Sequence, residues 1–156
     1  MGLFGFKSKK SIIACPVNGE VLPITDSSDT VFSEKMMGDG FVVRPKDGEF
    51  CSPVDGTVSM VFETKHAIAF TTDSGFDVLV HIGMDTVKLN GQGYEILVNA
   101  GDKVKIGQKV ASVDLEFIKG KGFSVETPVV ITNLDGKEIS LSKTGNLNSG
   151  DGVIEL

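Results

Sequence analysis

From Ser11 onward the chain is a succession of short apolar runs, most of them closed by Gly, Asp, Asn or Pro: SIIACPV, GEVLPI, GFVVRP, GTVSMVF, HAIAFTT, FDVLVHIG, DTVKL, KVASVDL, TPVVITN, EISLS and GVIEL. Runs of this kind, rich in Val, Ile, Thr and Phe and separated by turn formers, predict strands. Helical periodicity is confined to Phe32–Met37, to Leu115–Lys119 behind Asp114 as N-cap, and to Tyr94–Asn99. Many short strands at close spacing predict an all-β chain. We expect an antiparallel β-sandwich or partly closed barrel with short helical turns, in which alternate side chains enter the core. Two echoes suggest related halves: Pro16-Val17-Asn18-Gly19 against Pro53-Val54-Asp55-Gly56, and Gly101…Gly107…Val110 against Gly145…Gly150…Val153.

The segments Phe62–Phe70 and Phe76–Gly83 read as a hairpin across Thr71–Gly75. Strand alternation puts Phe62, Thr64, His66, Ile68 and Phe70 on one face of the first strand, and Asp77, Leu79, His81 and Gly83 together on the second. A four-residue loop, Thr72-Asp73-Ser74-Gly75, pairs Thr71 with Phe76 and sets His66 directly opposite His81, with Cβ atoms about 4.5–5.5 Å apart. A three-residue loop, Asp73-Ser74-Gly75, slips the register by one and sends the two rings to opposite faces. The first is the register adopted here.

Composition narrows the function classes. The 156 residues are 40% apolar without a break in character, which suits one core and one domain, residues 12–156, behind a short flexible N-terminal segment, residues 1–11. A net charge of −6 and a single arginine, Arg44, oppose a grip on nucleic acid, which needs clustered cations. Cys15 and Cys51 are neither a zinc pair by spacing nor a disulfide framework by number, and are expected as free thiols in a reducing cytoplasm. The opening MGLFGFKSKK is too short for a signal core or a membrane span. Leu3, Phe4 and Phe6 beside Lys7, Lys9 and Lys10 would give at most weak contact with an anionic membrane surface.

The sequence has two histidines, so a shared site for them is the main candidate chemistry. Two adjacent imidazoles depress each other's protonation, which leaves at least one neutral and nucleophilic near pH 7. Thr64 would fix the tautomer of His66, and His66 would donate to a phosphoryl oxygen on His81. A zinc site is the rival, with Asp85 as the nearest third ligand. A lipoyl- or biotinyl-type arm, suggested by Gly101…Val104…Gly107…Val110, lacks a modification lysine at a hairpin tip. No phosphate-binding loop motif occurs, and Gly91-Gln92-Gly93 lacks the third glycine of a dinucleotide fingerprint.

At Val31–Gly40 (VFSEKMMGDG), Ser52–Thr57 (SPVDGT), Phe62–His66 (FETKH) and Val80–Val87 (VHIGMDTV), the chain closely resembles the glucose-family IIA proteins of the bacterial phosphoenolpyruvate-dependent sugar phosphotransferase system. The resemblance runs from about Ile12 to Leu156. It implies a β-sandwich of the duplicated hybrid motif type, with His81 phosphorylated, His66 stabilising the phosphoryl group, and Thr64 in their hydrogen-bond network. It also implies a shallow depression ringed by Val31, Phe32, Met36, Met37, Phe62, Leu79 and Val87, with Asp29 and Asp85 at the rim. Through that surface a monomeric cytoplasmic carrier would meet the phosphocarrier HPr and then a IIB domain of a permease, and it would also meet regulatory targets that read its phosphorylation state. Transfer would require no cofactor, and zinc at His66 and His81 would be incidental or regulatory. The N-terminal extension is shorter than in enterobacterial members, and no IIB or IIC domain is fused, so a free-standing carrier is expected.

Overall fold

The computed structural model describes residues 11–156; residues 1–10, with the expected membrane contact and all but Ser11 of the expected flexible segment, lie outside the described residues, and Ser11 itself exchanges backbone hydrogen bonds with Leu156. The strands are β1 (Ile12–Ala14), β2 (Gly19–Pro23), β3 (Asp39–Pro45), β4 (Glu49–Cys51), β5 (Gly56–Val61), β6 (Ala67–Thr72), β7 (Asp77–His81), β8 (Tyr94–Ile96), β9 (Lys103–Val104), β10 (Lys109–Val113), β11 (Thr127–Ile131), β12 (Gly145–Leu147) and β13 (Gly152–Glu155). Two short helices, α1 (Thr30–Ser33) and α2 (Leu115–Gly120), and 3₁₀ turns at Ile24–Asp26 and Thr86–Leu89 complete the elements. Asp114 caps α2 as expected, its side chain accepting from the Phe117 amide.

The largest sheet runs β12-β2-β3-β11-β7-β6-β5-β9, and two smaller ones are β4-β10-β8 and β1-β13. Alternation in the large sheet sorts its side chains into two layers. Phe41, Val43, Ile68, Phe70, Val78, Val80, Val129 and Ile131 enter the main core, where Phe50, Tyr94, Val110, Val113, Val153 and Ile154 meet them from the smaller sheets. Val42, Ala67, Leu79 and Val130 face the other way and pack with Ile24, Phe32 and Met84. The central strands therefore carry apolar residues on both faces, which is why their sequences read as near-continuous hydrophobic runs. The candidate site lies on the second face.

The echoed motifs are related by hydrogen bonding. The Ala14 amide donates to Pro53 O (2.7 Å) and the Cys51 amide to Pro16 O (2.7 Å). Ile106 N donates to the Asp55 carboxylate as Ser149 N does to the Asn18 carbonyl, both at 2.9 Å. Ser52 N and Cys15 N reach Gln108 O and Asp151 O, both at 2.8 Å. The Ser52 hydroxyl donates to Val54 O (2.7 Å), and the Cys15 thiol does the same to Val17 O (3.0 Å). Burial pushes the Cys15 thiol pKa up to about 11, so it stays protonated and donates. Cys15→Ser is therefore expected to keep this bond and change the unfolding free energy by less than about 1 kcal/mol in a denaturant titration.

Several local expectations are corrected. Tyr94–Asn99 opens with strand β8, because Glu95 and Ile96 pair with Ser112 and Ala111. The DTVKL segment is a 3₁₀ turn between left-handed Asp85 and Asn90, and EISLS forms no strand. The helix expected over Phe32–Met37 begins at Thr30 and ends at Ser33, where the left-handed Lys35 breaks it.

Candidate functional site

Strands β6 and β7 pair Thr71 with Asp77 and Ala67 with His81, so the four-residue loop is corrected to the three-residue one. Thr72 closes it twice: its amide donates to Phe76 O (2.8 Å), and its hydroxyl accepts from the Phe76 amide (2.9 Å). Gly75, at φ +98°, supplies the left-handed residue that such a loop requires. That register was expected to separate the histidines, yet their ring centroids are 4.9 Å apart in an edge-on arrangement.

The reason lies at the other end of β6. Residues 62–66 form a turn and do not continue the strand. Lys65 N donates to Phe62 O (2.8 Å), Phe62 N donates to Ala67 O (3.1 Å), and Lys65 has φ +64°. His66 sits where the turn enters the strand and is released from strand alternation, while its carbonyl accepts from the Ile82 amide (2.7 Å). Ala67, opposite His81, carries only a methyl group and leaves space for the His66 ring.

Each imidazole is tied by Nδ1. That of His81 lies 2.7 Å from Gly83 O, and that of His66 lies 2.8 Å from Thr64 Oγ1. A carbonyl oxygen only accepts, so His81 Nδ1 donates and the neutral ring keeps its lone pair on Nε2. Thr64 thus meets His66 through the turn, not through a shared strand face. The backbone holding His81 is pinned in turn, since the Thr86 and Tyr94 hydroxyls both donate to Ile82 O, at 2.8 and 2.7 Å.

Burial is the main cause that lowers both histidines from 6.5; for His66 the neighbouring His81 adds to it. For His81 the hydrogen bond to Gly83 and the charges of Asp29 and Asp85 pull upward against burial. A folded value below the unfolded one gives stability that is complete above 6.5 and is lost as pH falls through the lowered values. The melting temperature is expected to fall on acidification from neutrality. Calorimetry should show a smaller fall when both histidines are glutamine.

Phe32 stacks tilted on His81 at 5.2 Å, and Phe62 meets His66 edge-on at 5.6 Å. Phe32 and Leu79, expected on the ring, are buried and form its floor, while Phe62 is half-buried. Val31, Met36, Met37 and Val87, also expected on the ring, are exposed. Asp29 is the N-cap of α1, accepting from Val31 N at 2.9 Å, and Asp85 precedes the 3₁₀ turn. Among the described residues no three His, Cys, Asp or Glu side chains gather to hold a metal ion.

Met84 and Met60 were missed from sequence. Met84 is buried beside Phe32 and Leu79. Exposed Met60 starts a cross-strand row, Met60–Ala69–Leu79–Val130–Gly40, that extends the apolar face away from the histidines. Only the correct pairing register places it there. No helix of the described residues is long and apolar enough to cross a membrane.

The glucose-specific EIICBA component of the phosphotransferase system from Staphylococcus carnosus is 46% identical over 143 residues, covering 92% of this chain and 21% of that protein. The chain thus spans about a fifth of that relative's length. The solved structure of glucose permease IIA from Mycoplasma capricolum superposes with a TM-score of 0.89 at 38% identity, covering 97% of this chain and 99% of that one. The family model for the phosphoenolpyruvate-dependent sugar phosphotransferase system, EIIA 1, matches residues 11–136. With a β-sandwich that sets two imidazoles edge-on beside Phe32 and Phe62, this chain belongs to that EIIA family of the sugar phosphotransferase system.

Proposed function

We propose that His81 takes the phosphoryl group on Nε2 from phospho-HPr and passes it to a IIB domain. The observation that carries this reading is the Nδ1 bond from His81 to Gly83 O, which leaves the Nε2 lone pair free. The His81 lone pair forms the new N–P bond while the donor's N–P bond breaks, and its electron pair returns to the donor; no proton leaves His81. Thr64, donating to His66 Nδ1, fixes the proton of His66 on Nε2, from which it donates to a phosphoryl oxygen. Such a transfer rests on alignment and charge stabilisation and needs no cofactor.

The rim formed by Val31, Met36, Met37 and Val87 suits two partners in turn, because methionines repack around different shapes. Asp29 and Asp85 would face basic residues of HPr or IIB, and the partner supplies the guanidinium groups in which this chain, with Arg44 alone, is poor. The encounter is between cytoplasmic monomers and is transient, below about 1,200 Å² of buried surface.

Incubation with phosphoenolpyruvate, Enzyme I and HPr is expected to add one phosphoryl group, stable to base and labile to acid. A folded sample that gains no mass would sink the proposal.

A further inference from the structure

Glu126 is a buried carboxylate with no part in the transfer steps above. It lies just before β11, and one of its oxygens accepts three hydrogen bonds from a distant loop: Ser28 N (2.9 Å), Ser28 Oγ (3.1 Å) and Ser27 Oγ (3.2 Å). Its other oxygen is 3.6 Å from Nε of Arg44, the single arginine of the chain. Arg44 also reaches Glu20 at 3.6 Å. Ser27 Oγ, so held, accepts from the Asp29 amide (3.2 Å), and Asp29 caps the helix that presents Phe32 to His81.

The same segment also touches the other side of the site. Ser124 O accepts from the Met84 amide (3.0 Å), next to Gly83, and Ser124 Oγ accepts from Glu126 N (3.1 Å). Residues 124–126 thus tie the loop that follows His81 to the loop that carries Asp29 and Phe32.

We propose that Glu126, braced by Arg44, is a positioning residue that holds the Ser27–Asp29 loop so that Phe32 and Asp29 stay seated against His81. A buried carboxylate with three donors on one oxygen and a guanidinium near the other is costly to desolvate, and its bonds are directional, so they fix where the loop sits. Removing it leaves the Ser28 amide and two hydroxyls without their acceptor, which frees the loop. The assignment rests on His81 being the accepting residue, but its principal test does not.

That test is an NMR titration of the unphosphorylated protein, with no partner present. The charged groups facing His81 are His66 from the β5–β6 turn, Asp29 from the start of α1, and Asp85 from the turn after Gly83. Asp29 raises the His81 pKa. In Glu126→Leu the nuclear Overhauser contact between Phe32 and His81 is expected to weaken, and the His81 midpoint to move off that of the wild type, as the burial that lowers it and the Asp29 charge that raises it both loosen. The KM for phospho-HPr is expected to rise roughly tenfold, the effect of losing one anchored contact. A folded Glu126→Leu with an unchanged His81 midpoint and an unchanged Phe32 contact overturns the proposal.

Should that variant not fold, the Ser27→Ala, Ser28→Ala pair removes two of the same bonds from the loop side. A weakened Phe32–His81 contact there supports the assignment, and an unchanged contact with an unchanged midpoint overturns it. Failure of the wild type to accept a phosphoryl group would sink the carrier assignment of His81 while leaving this titration intact.

Discussion

Alanine at His81 is expected to abolish phosphoryl labelling outright, whereas glutamine at His66 should leave labelling in place and slow onward transfer by about two orders of magnitude. The asymmetry follows from the two Nδ1 bonds. His81 gives its Nδ1 proton to Gly83 O and keeps a nucleophilic Nε2, so without it no lone pair stands at the acceptor position. His66 adds a donor aimed at charge that develops on the phosphoryl oxygens, and removing one such donor typically costs 10²–10³ in rate.

Glutamine lacks a ring whose tautomer Thr64 can fix, so its amide rotates and the donor is no longer preset. Mass spectrometry after incubation with the HPr relay reads the first step, and rapid-quench transfer to a IIB domain reads the second. Full labelling of His81→Ala would move the phosphoryl site elsewhere. An unchanged onward rate in His66→Gln would remove His66 from the mechanism.

The segments that carried this chemistry were legible for uneven reasons. The apolar runs of β3, β6, β7 and β11 announced themselves because both faces of those strands are buried. Very short strands such as β4 and β9 did not, since two or three residues hold no period. His66 and His81 were brought together by the right conclusion from the wrong register. Asp-Ser-Gly ending a three-residue loop was a readable signal, because glycine occupies the left-handed last position. The turn at Lys65 was not, since a lysine at φ +64° has no mark in composition, and that turn alone lets His66 escape the face its strand would have dictated. Glu126 was equally hidden: its partners Ser27 and Ser28 are about a hundred residues away, and only the fold joins them.

Valine at Gly83 is expected to damage both the stability of the fold and the fixed tautomer of His81. Gly83 has φ +90°, where a β-branched residue is a genuine outlier, and a Cβ built there would sit 2.5 Å from Thr86 Cγ2 and 3.0 Å from Ser124 O. Relief requires moving either the Thr86 side chain, whose hydroxyl pins Ile82 O, or the 83–84 backbone, whose amide at Met84 is bonded to Ser124 O. Both routes loosen the 82–84 backbone that carries Gly83 O, the acceptor that sets the His81 tautomer.

Gly75 separates conformational strain from collision, because it has a similar φ of +98° with nothing within 4 Å of a built Cβ. Gly75→Val should therefore cost about 1–2 kcal/mol from backbone strain alone. Gly83→Val should cost about 2 kcal/mol more from overpacking, and its His81 should lose the fixed Nδ1–H signature in nitrogen-detected NMR. Equal destabilisation of the two variants in denaturant titrations, with the His81 tautomer unchanged, would show that Gly83 serves only the turn and not the nucleophile beside it.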